Sequence, residues 1–276
     1  MAAQPVVMVT GASGRVGRRV VTGLLGRGLA VRALTRDPDA AGLPWGAEVV
    51  RADLSMPDTL DGSLRGIDVV FLVWPFLTAE GASAFLEVVR KHARRVVFLS
   101  STAAADSKHA TIERLIERSE LDWTFLRASG FAANTLLWAG QIRAEGVVRW
   151  PYGEAARSLI HEADVAEVAV RALTEDGHAG ARHVLTGPEA LTQVEQVRTI
   201  AAVIGRPLRY QELPAADARR QMIADGWPPS FVDSALRYWA TLVSSPEPVT
   251  STVDAITGRP PRSFHDWVLD HAAAFR

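Results

Sequence analysis

The sequence predicts an α/β chain built on a doubly wound parallel sheet, and three observations carry that expectation. Short apolar runs of strand length alternate with segments whose apolar residues recur at helical spacing. The first run, Val6–Val9, opens directly into a turn with glycines at 11, 14 and 17 and then into an amphipathic helix. The whole chain of 276 residues is 48% hydrophobic with a net charge of -1, ample for a core and without the signature of disorder.

The first strand and its turn set the pattern. Val6, Val7, Met8 and Val9 suit a strand buried on both faces. Val16, Val20, Val21, Leu24 and Leu25 then fall on one face of a helix running to about Gly26. A glycine permits the turn, another lets backbone approach a pyrophosphate, and a third lets helix pack close to strand. The spacing GxxGxxG is one residue longer in its first gap than the commonest dinucleotide fingerprint. It is not a P-loop, because no Gly-Lys-Ser/Thr follows. Gly11, Ser13, Gly14, Arg15, Val16 and Gly17 are therefore the candidate phosphate-binding residues, with the helix start offering N–H groups and a favourable dipole.

Leu29–Thr35 reads as the second strand, and its end is where such folds recognise the adenosine ribose. Thr35-Arg36 offers a hydroxyl and a guanidinium, which suits a 2′-phosphate and hence NADP(H). Asp37 would face a ribose hydroxyl if the turn shifts by one. Arg15 is a second positive contact. Ala47–Leu54 is a third strand; Asp53, with Leu54 after it, ends where an adenine amino group would lie, or else serves as a turn residue. Ile67–Trp74 is a fourth strand stopped by Pro75, followed by a helix over 79–93. Arg95–Ser101 is the fifth. Strand ends align on one sheet edge, so the 11–17 turn, Arg36, Asp53, Trp74 and Ser100–Thr102 are expected to share one crevice.

Beyond it the periodicity predicts a helix over Lys108–Ser119, a strand Asp122–Ser129, a helix Gly130–Gln141, and a strand Gly146–Trp150. A helix Ala163–Leu173 and a strand Arg182–Gly187 follow. Thr192-x-x-Glu195 is a capping box opening a helix to about Ile204. Leu208–Leu213 returns as a strand, and helices are expected over Ala215–Asp225, Pro229–Val243 and Ser263–Phe275. Trp227, Trp239 and Trp267 lie in this tail and suit core packing or an apolar ligand wall.

Composition excludes some classes. Near-zero net charge argues against direct nucleic-acid binding. The chain has no cysteine, so it has neither disulfide nor thiolate metal site, which fits a reducing cytoplasm. The first strand begins too early for a signal peptide. No apolar run reaches the ~20 residues of a membrane span. No His/Asp/Glu spacing points to a metal, and no nucleophile–base pattern points to hydrolysis.

Six stretches together resemble the NmrA-like proteins, atypical members of the short-chain dehydrogenase/reductase superfamily. They are Thr10–Val21, Val31–Pro38, Ser119–Asn134, His161–Leu173, Leu185–Glu195 and Thr257–Phe264. The resemblance implies a Rossmann core, taken as residues 1–155, and a smaller, interleaved C-terminal α+β part, taken as 156–276, that closes a substrate cleft. It implies NADP(H). It leaves open a reductase of an apolar quinone or carbonyl compound, a tailoring enzyme of secondary metabolism, or a redox sensor without turnover.

Typical relatives use a Tyr-x-x-x-Lys pair. Here Tyr152, Tyr210 and Tyr238 have no lysine four residues on, and the resemblance places His109 at the tyrosine position with Glu113 in place of lysine. A carboxylate one helical turn away would hold and charge the imidazole. Ser101 or Thr102 would bond a substrate oxygen or the nicotinamide ribose, or else cap the turn, and Ser100 counts with the cofactor-binding residues. Phe131 and Asn134 follow the sixth strand as substrate contacts, although Ala128-Ser129 stands where arginine-proline is usual. The expected substrate is a small aromatic or quinone-like molecule.

Overall fold

The computed structural model describes residues 5–102 and 107–276. The chain opens with β1 (Val6–Val9), α1 (Arg15–Gly26), β2 (Ala30–Thr35) and β3 (Glu48–Arg51). After a 3-10 turn come α2 (Asp61–Leu64), β4 (Val69–Leu72), α3 (Ala82–Val89), β5 (Arg95–Ser101), α4 (Lys108–Glu117) and β6 (Asp122–Ala128). A second 3-10 segment, Ala132–Trp138, leads to α5 (Ala139–Glu145), β7 (Val147–Trp150), β8 (Ala156–Arg157) and α6 (Glu162–Thr174). The remainder is β9 (Ala181–Leu185), β10 (Leu191–Thr192), α7 (Gln193–Ile204), β11 (Arg209–Glu212), α8 (Ala215–Ala224), α9 (Pro229–Thr241), α10 (Thr252–Thr257) and α11 (Phe264–His271).

Contacts divide the chain into two compact units. Unit 1 comprises Met1–Ala128, Glu162–Leu185 and Thr252–Arg259; unit 2 comprises Ser129–His161, Thr186–Ser251 and Pro260–Arg276. Unit 1 holds a seven-stranded sheet in the order β3-β2-β1-β4-β5-β6-β9, every pair parallel. The order reverses between β1 and β4, which is the switch point where an open α/β sheet binds ligands. The central strands are fully apolar because helices cover both faces: Val69, Val70, Phe71 and Leu72 are all buried. Helices α1 and α6 pack closely. A Cβ on Gly23 would lie 2.8 Å from Val170 Cγ2, so only glycine lets the two axes approach so far.

The short edge strand β3 pairs with β2 alone, through Arg32–Thr35 against Glu48–Arg51, so its regular part is briefer than its apolar run suggests. In unit 2, β7 and β11 pair in parallel and β8 and β10 antiparallel. Its main core gathers Phe264, Trp267 and Phe275 with Ile142, Val148 and Ile200. The helix expected over 130–141 begins instead as 3-10 turns. Phe131 bridges Ile160, and the Ala132 N–H is drawn to the Ile160 carbonyl, which prevents an α-helical start. The capping box forms as expected: the Glu195 N–H donates to Thr192 Oγ1 at 3.1 Å, and the Thr192 N–H to Glu195 Oε2 at 2.8 Å. No helix among the described residues is long and apolar enough to cross a membrane.

Candidate functional site

At the switch point, Gly11 takes a positive φ of 58° and turns the chain off β1. Gly14 is the N-cap of α1, and no side chain caps that helix. Its first-turn N–H groups are left for a ligand, and an anion is the natural one. Gly17 is the least replaceable glycine of the three: a Cβ there would lie 2.2 Å from the Gly11 carbonyl oxygen, against 3.1 Å for one on Gly14. Ser13, Gly14 and Arg15 are exposed around this mouth, while Val16 is buried beneath it. The Thr10 hydroxyl ties the turn down by accepting from the Val73 N–H at 2.7 Å. Arg18 is half-buried and donates to the carbonyls of Ala41 and Gly42, so fixing the loop after β2.

The ribose end is basic. Arg36 is exposed just past β2. The register sets Thr35 opposite Arg51, and Arg51 Nη1 donates to the Arg36 carbonyl at 3.1 Å. Two guanidinium groups thus stand at adjacent strand ends. Sequence reading passed over Arg51 because it looks like an ordinary strand residue; only register brings it to Arg36. Asp53 accepts from the Ser55 N–H at 2.9 Å and hydroxyl at 2.8 Å, which lowers its pKa and makes it a turn-former with Oδ2 to spare. Leu54 and Trp74 are buried in the core, the Trp74 indole N–H bonded to the Thr78 carbonyl.

Next to β5 the geometry differs from expectation. The expected pair of His109 and Glu113 does not form. Glu113 is buried and accepts from Ser100 Oγ at 2.5 Å and from Arg127 Nε and Nη2 at 3.0 and 2.5 Å. The bidentate arginine on β6 outcompetes an imidazole for the same carboxylate. Ser100 is consequently a buried strut. His109 lies against Phe98, ring centroids 6.2 Å apart. Burial, with the Lys108 charge beside it, pushes its pKa down to about 4, so it is neutral at pH 7. Lys108 itself donates to the Phe76 carbonyl at 2.5 Å, and burial lowers its pKa. Ser101 ends β5 opposite Ala128, half-buried. The structure thus gathers the 11–17 turn, Arg36, Asp53, Ser101 and the start of α4 on the carboxyl edge of one sheet.

Phe131 and Asn134 belong to unit 2. Phe131 is half-buried beside its bridge to Ile160, and Asn134 is exposed at a cavity of about 130 Å³ walled by Trp138, Trp150, Trp227 and Trp239.

The turn, its uncapped helix and the arginine pair fit a dinucleotide: phosphates on backbone N–H groups, ribose beside guanidinium. Residues 11–176 match the family described as NAD(P)H-binding. A (4-alkanoyl-5-oxo-2,5-dihydrofuran-3-yl)methyl phosphate reductase from Streptomyces griseus is 39% identical, over 98% of this chain and 99% of that protein. An NAD(P)H azoreductase from Xenophilus azovorans is 33% identical over 98% and 99%. Among solved structures, an NADPH-dependent quinone oxidoreductase from Escherichia coli complexed with NADPH shares the fold, with a TM-score of 0.82 at 21% identity over 96% and 99% of the two chains. The fold and its edge define a Rossmann-type dinucleotide-binding protein. The chain belongs to the NAD(P)H-binding family, and the two relatives just named are a reductase and an NAD(P)H azoreductase.

Proposed function

We propose that the protein is an NADPH-dependent reductase of a small, apolar, conjugated acceptor, a quinone or carbonyl compound. The observation that carries this reading is the state of His109: a neutral imidazole in place of the usual tyrosine, with its expected carboxylate partner bound to Arg127 instead. Such a ring orients an acceptor oxygen by donating one N–H, but it is a poor source of a full proton at pH 7. Quinones suit it, because their reduced oxygens take protons from water. Ser101 is the second hydrogen-bond donor in this reading, and Phe131 and Asn134 are the substrate contacts. NADPH, when bound, supplies the hydride. Preference for NADPH over NADH is assigned to Arg36 together with Arg51. The relatives that act on azo compounds, on an alkanoyl-furanone phosphate and on quinones agree with a conjugated acceptor.

The test is NADPH oxidation by a benzoquinone and by a simple aryl ketone, with wild type and His109→Ala. The ketone rate is expected to fall by about 10²-fold, in the range for losing one hydrogen bond to the developing oxyanion, and the quinone rate by less than tenfold. Equal losses, or none, refute the role of His109. Failure of every acceptor to oxidise bound NADPH refutes the reductase itself.

A further inference from the structure

The cavity wholly inside unit 2 has a chemistry of its own. Its volume, about 130 Å³, is close to that of an engineered cavity that holds one benzene ring. Its walls are aromatic. Trp150 lies 6.2 Å from Trp138 at 68° and 5.6 Å from Trp239 at 48°, while Trp227 stacks on Phe231 at 5.3 Å. Inclined indoles offer faces and edges to a further ring.

Five polar side chains stand on the lining, Asn134 and Thr135 among them, and the other three decide what that ring carries. Arg157 is one of them: its Nε is buried out of a ligand's reach, and among the described residues only its Nη2 finds an acceptor, which leaves Nη1 to donate. Its charge is already met, because Nη2 donates to Glu247 Oε1 at 3.2 Å. Glu247 is itself buried and also accepts from the Tyr238 hydroxyl and, at 3.0 Å, the Ser158 N–H. Gln193 has its amide on the Pro151 and Tyr152 carbonyls, both at 2.8 Å, and Gln196 on the Leu191 carbonyl at 2.9 Å. Those bonds fix the amide orientation and leave two carbonyl oxygens as acceptors. An added negative charge would lie unpaired, since Glu247 has neutralised the arginine.

We infer that this cavity binds one neutral, single-ring aromatic molecule, with a ring carbonyl or aryl ketone oxygen on the Arg157 Nη1 N–H and a hydroxyl on the glutamine carbonyls. Calling that molecule the acceptor rests on the reductase reading; its binding does not. The experiment is calorimetric titration, without NADPH, of 4-hydroxyacetophenone and 4-hydroxybenzoate, which share ring and hydroxyl and differ in charge. The ketone is expected to bind at least tenfold more tightly than the carboxylate. Arg157→Lys keeps the charge for Glu247 but removes the second N–H arm of the guanidinium, and should weaken the ketone about tenfold. Should that variant not fold, Trp227→Ala removes a half-exposed wall instead and should weaken the ketone at least fivefold. Tighter binding of the carboxylate makes the site an anion site and overturns the inference, as does an unchanged affinity in both variants or no binding at all. If the ketone binds as stated while no acceptor oxidises NADPH, the reductase reading fails and the cavity assignment stands. The converse outcome fails the cavity alone.

Discussion

At the scale of single residues, the proposed preference for NADPH rests on two arginines. Arg36 and Arg51 end adjacent strands and are held together by one hydrogen bond. A charge-assisted bond is worth about 1.5–3 kcal/mol, roughly ten- to hundredfold in affinity. Arg36→Ala is therefore expected to weaken NADPH by that order and to leave NADH nearly unchanged in a fluorescence titration, and Arg51→Ala to do the same more mildly. Equal losses for both cofactors would remove the arginines from the 2′-phosphate. His109 sets a stability slope. Its folded pKa of about 4 lies below the ordinary value of 6.5. Between those values the unfolded chain binds a proton that the folded chain does not, so the ring's contribution is present above pH 6.5 and is lost as pH falls toward 4. Melting curves over that window should show a shallower fall for His109→Phe than for wild type. Parallel slopes would mean the ring is as accessible to protons folded as unfolded.

At the scale of elements, the decisive contacts join pieces that the sequence keeps apart. In the first turn, Gly17 meets the Gly11 carbonyl, whereas Gly14 only caps the helix. Gly17→Ala must push backbone against backbone and is expected to abolish NADPH binding and lower the melting temperature. Gly14→Ala, tight but tolerable, should keep the fold and weaken the cofactor. A Gly17→Ala protein with wild-type affinity would show that the turn yields freely. Between α4 and β6, the Glu113–Arg127 pair carries Ser100 with it. The helix that bears His109 is thereby pinned to two strands, and the carboxylate that would have charged the imidazole is spent on architecture.

At the scale of the molecule, unit 1 is assembled from three stretches of chain. Its seventh strand, β9, and the helix α6 that packs on Gly23 both arrive after unit 2 has begun. A fragment of residues 1–155 ends before either. It would expose the apolar face of α1 and the open edge of β6, and edges of that kind aggregate. Such a fragment is expected to be insoluble or to lack cooperative unfolding, and to give no NADPH titration. A soluble 1–155 fragment that melts cooperatively and binds NADPH would show that the later stretches are accessory.

How much of this was legible beforehand depends on the range of the interaction. The alternation of strands and helices, the glycine turn, the capping box at Thr192 and the exposed Arg36 are local, set by spacing and residue type within a dozen positions, and the sequence by itself determined them. It also determined the family, because six motifs in order are a property of the string. Other features are contacts that only the folded backbone fixes. Arg51 reaches Arg36 only through strand register. Gly17, not Gly14, is the strict glycine because a carbonyl six residues back curls under the helix. Glu113 belongs to Arg127, fourteen residues away. Arg157 and Glu247, ninety apart, meet in one cavity wall. Periodicity carries no term for such pairs. Which donor claims a carboxylate is settled by geometry and burial, and those exist only once the chain has folded.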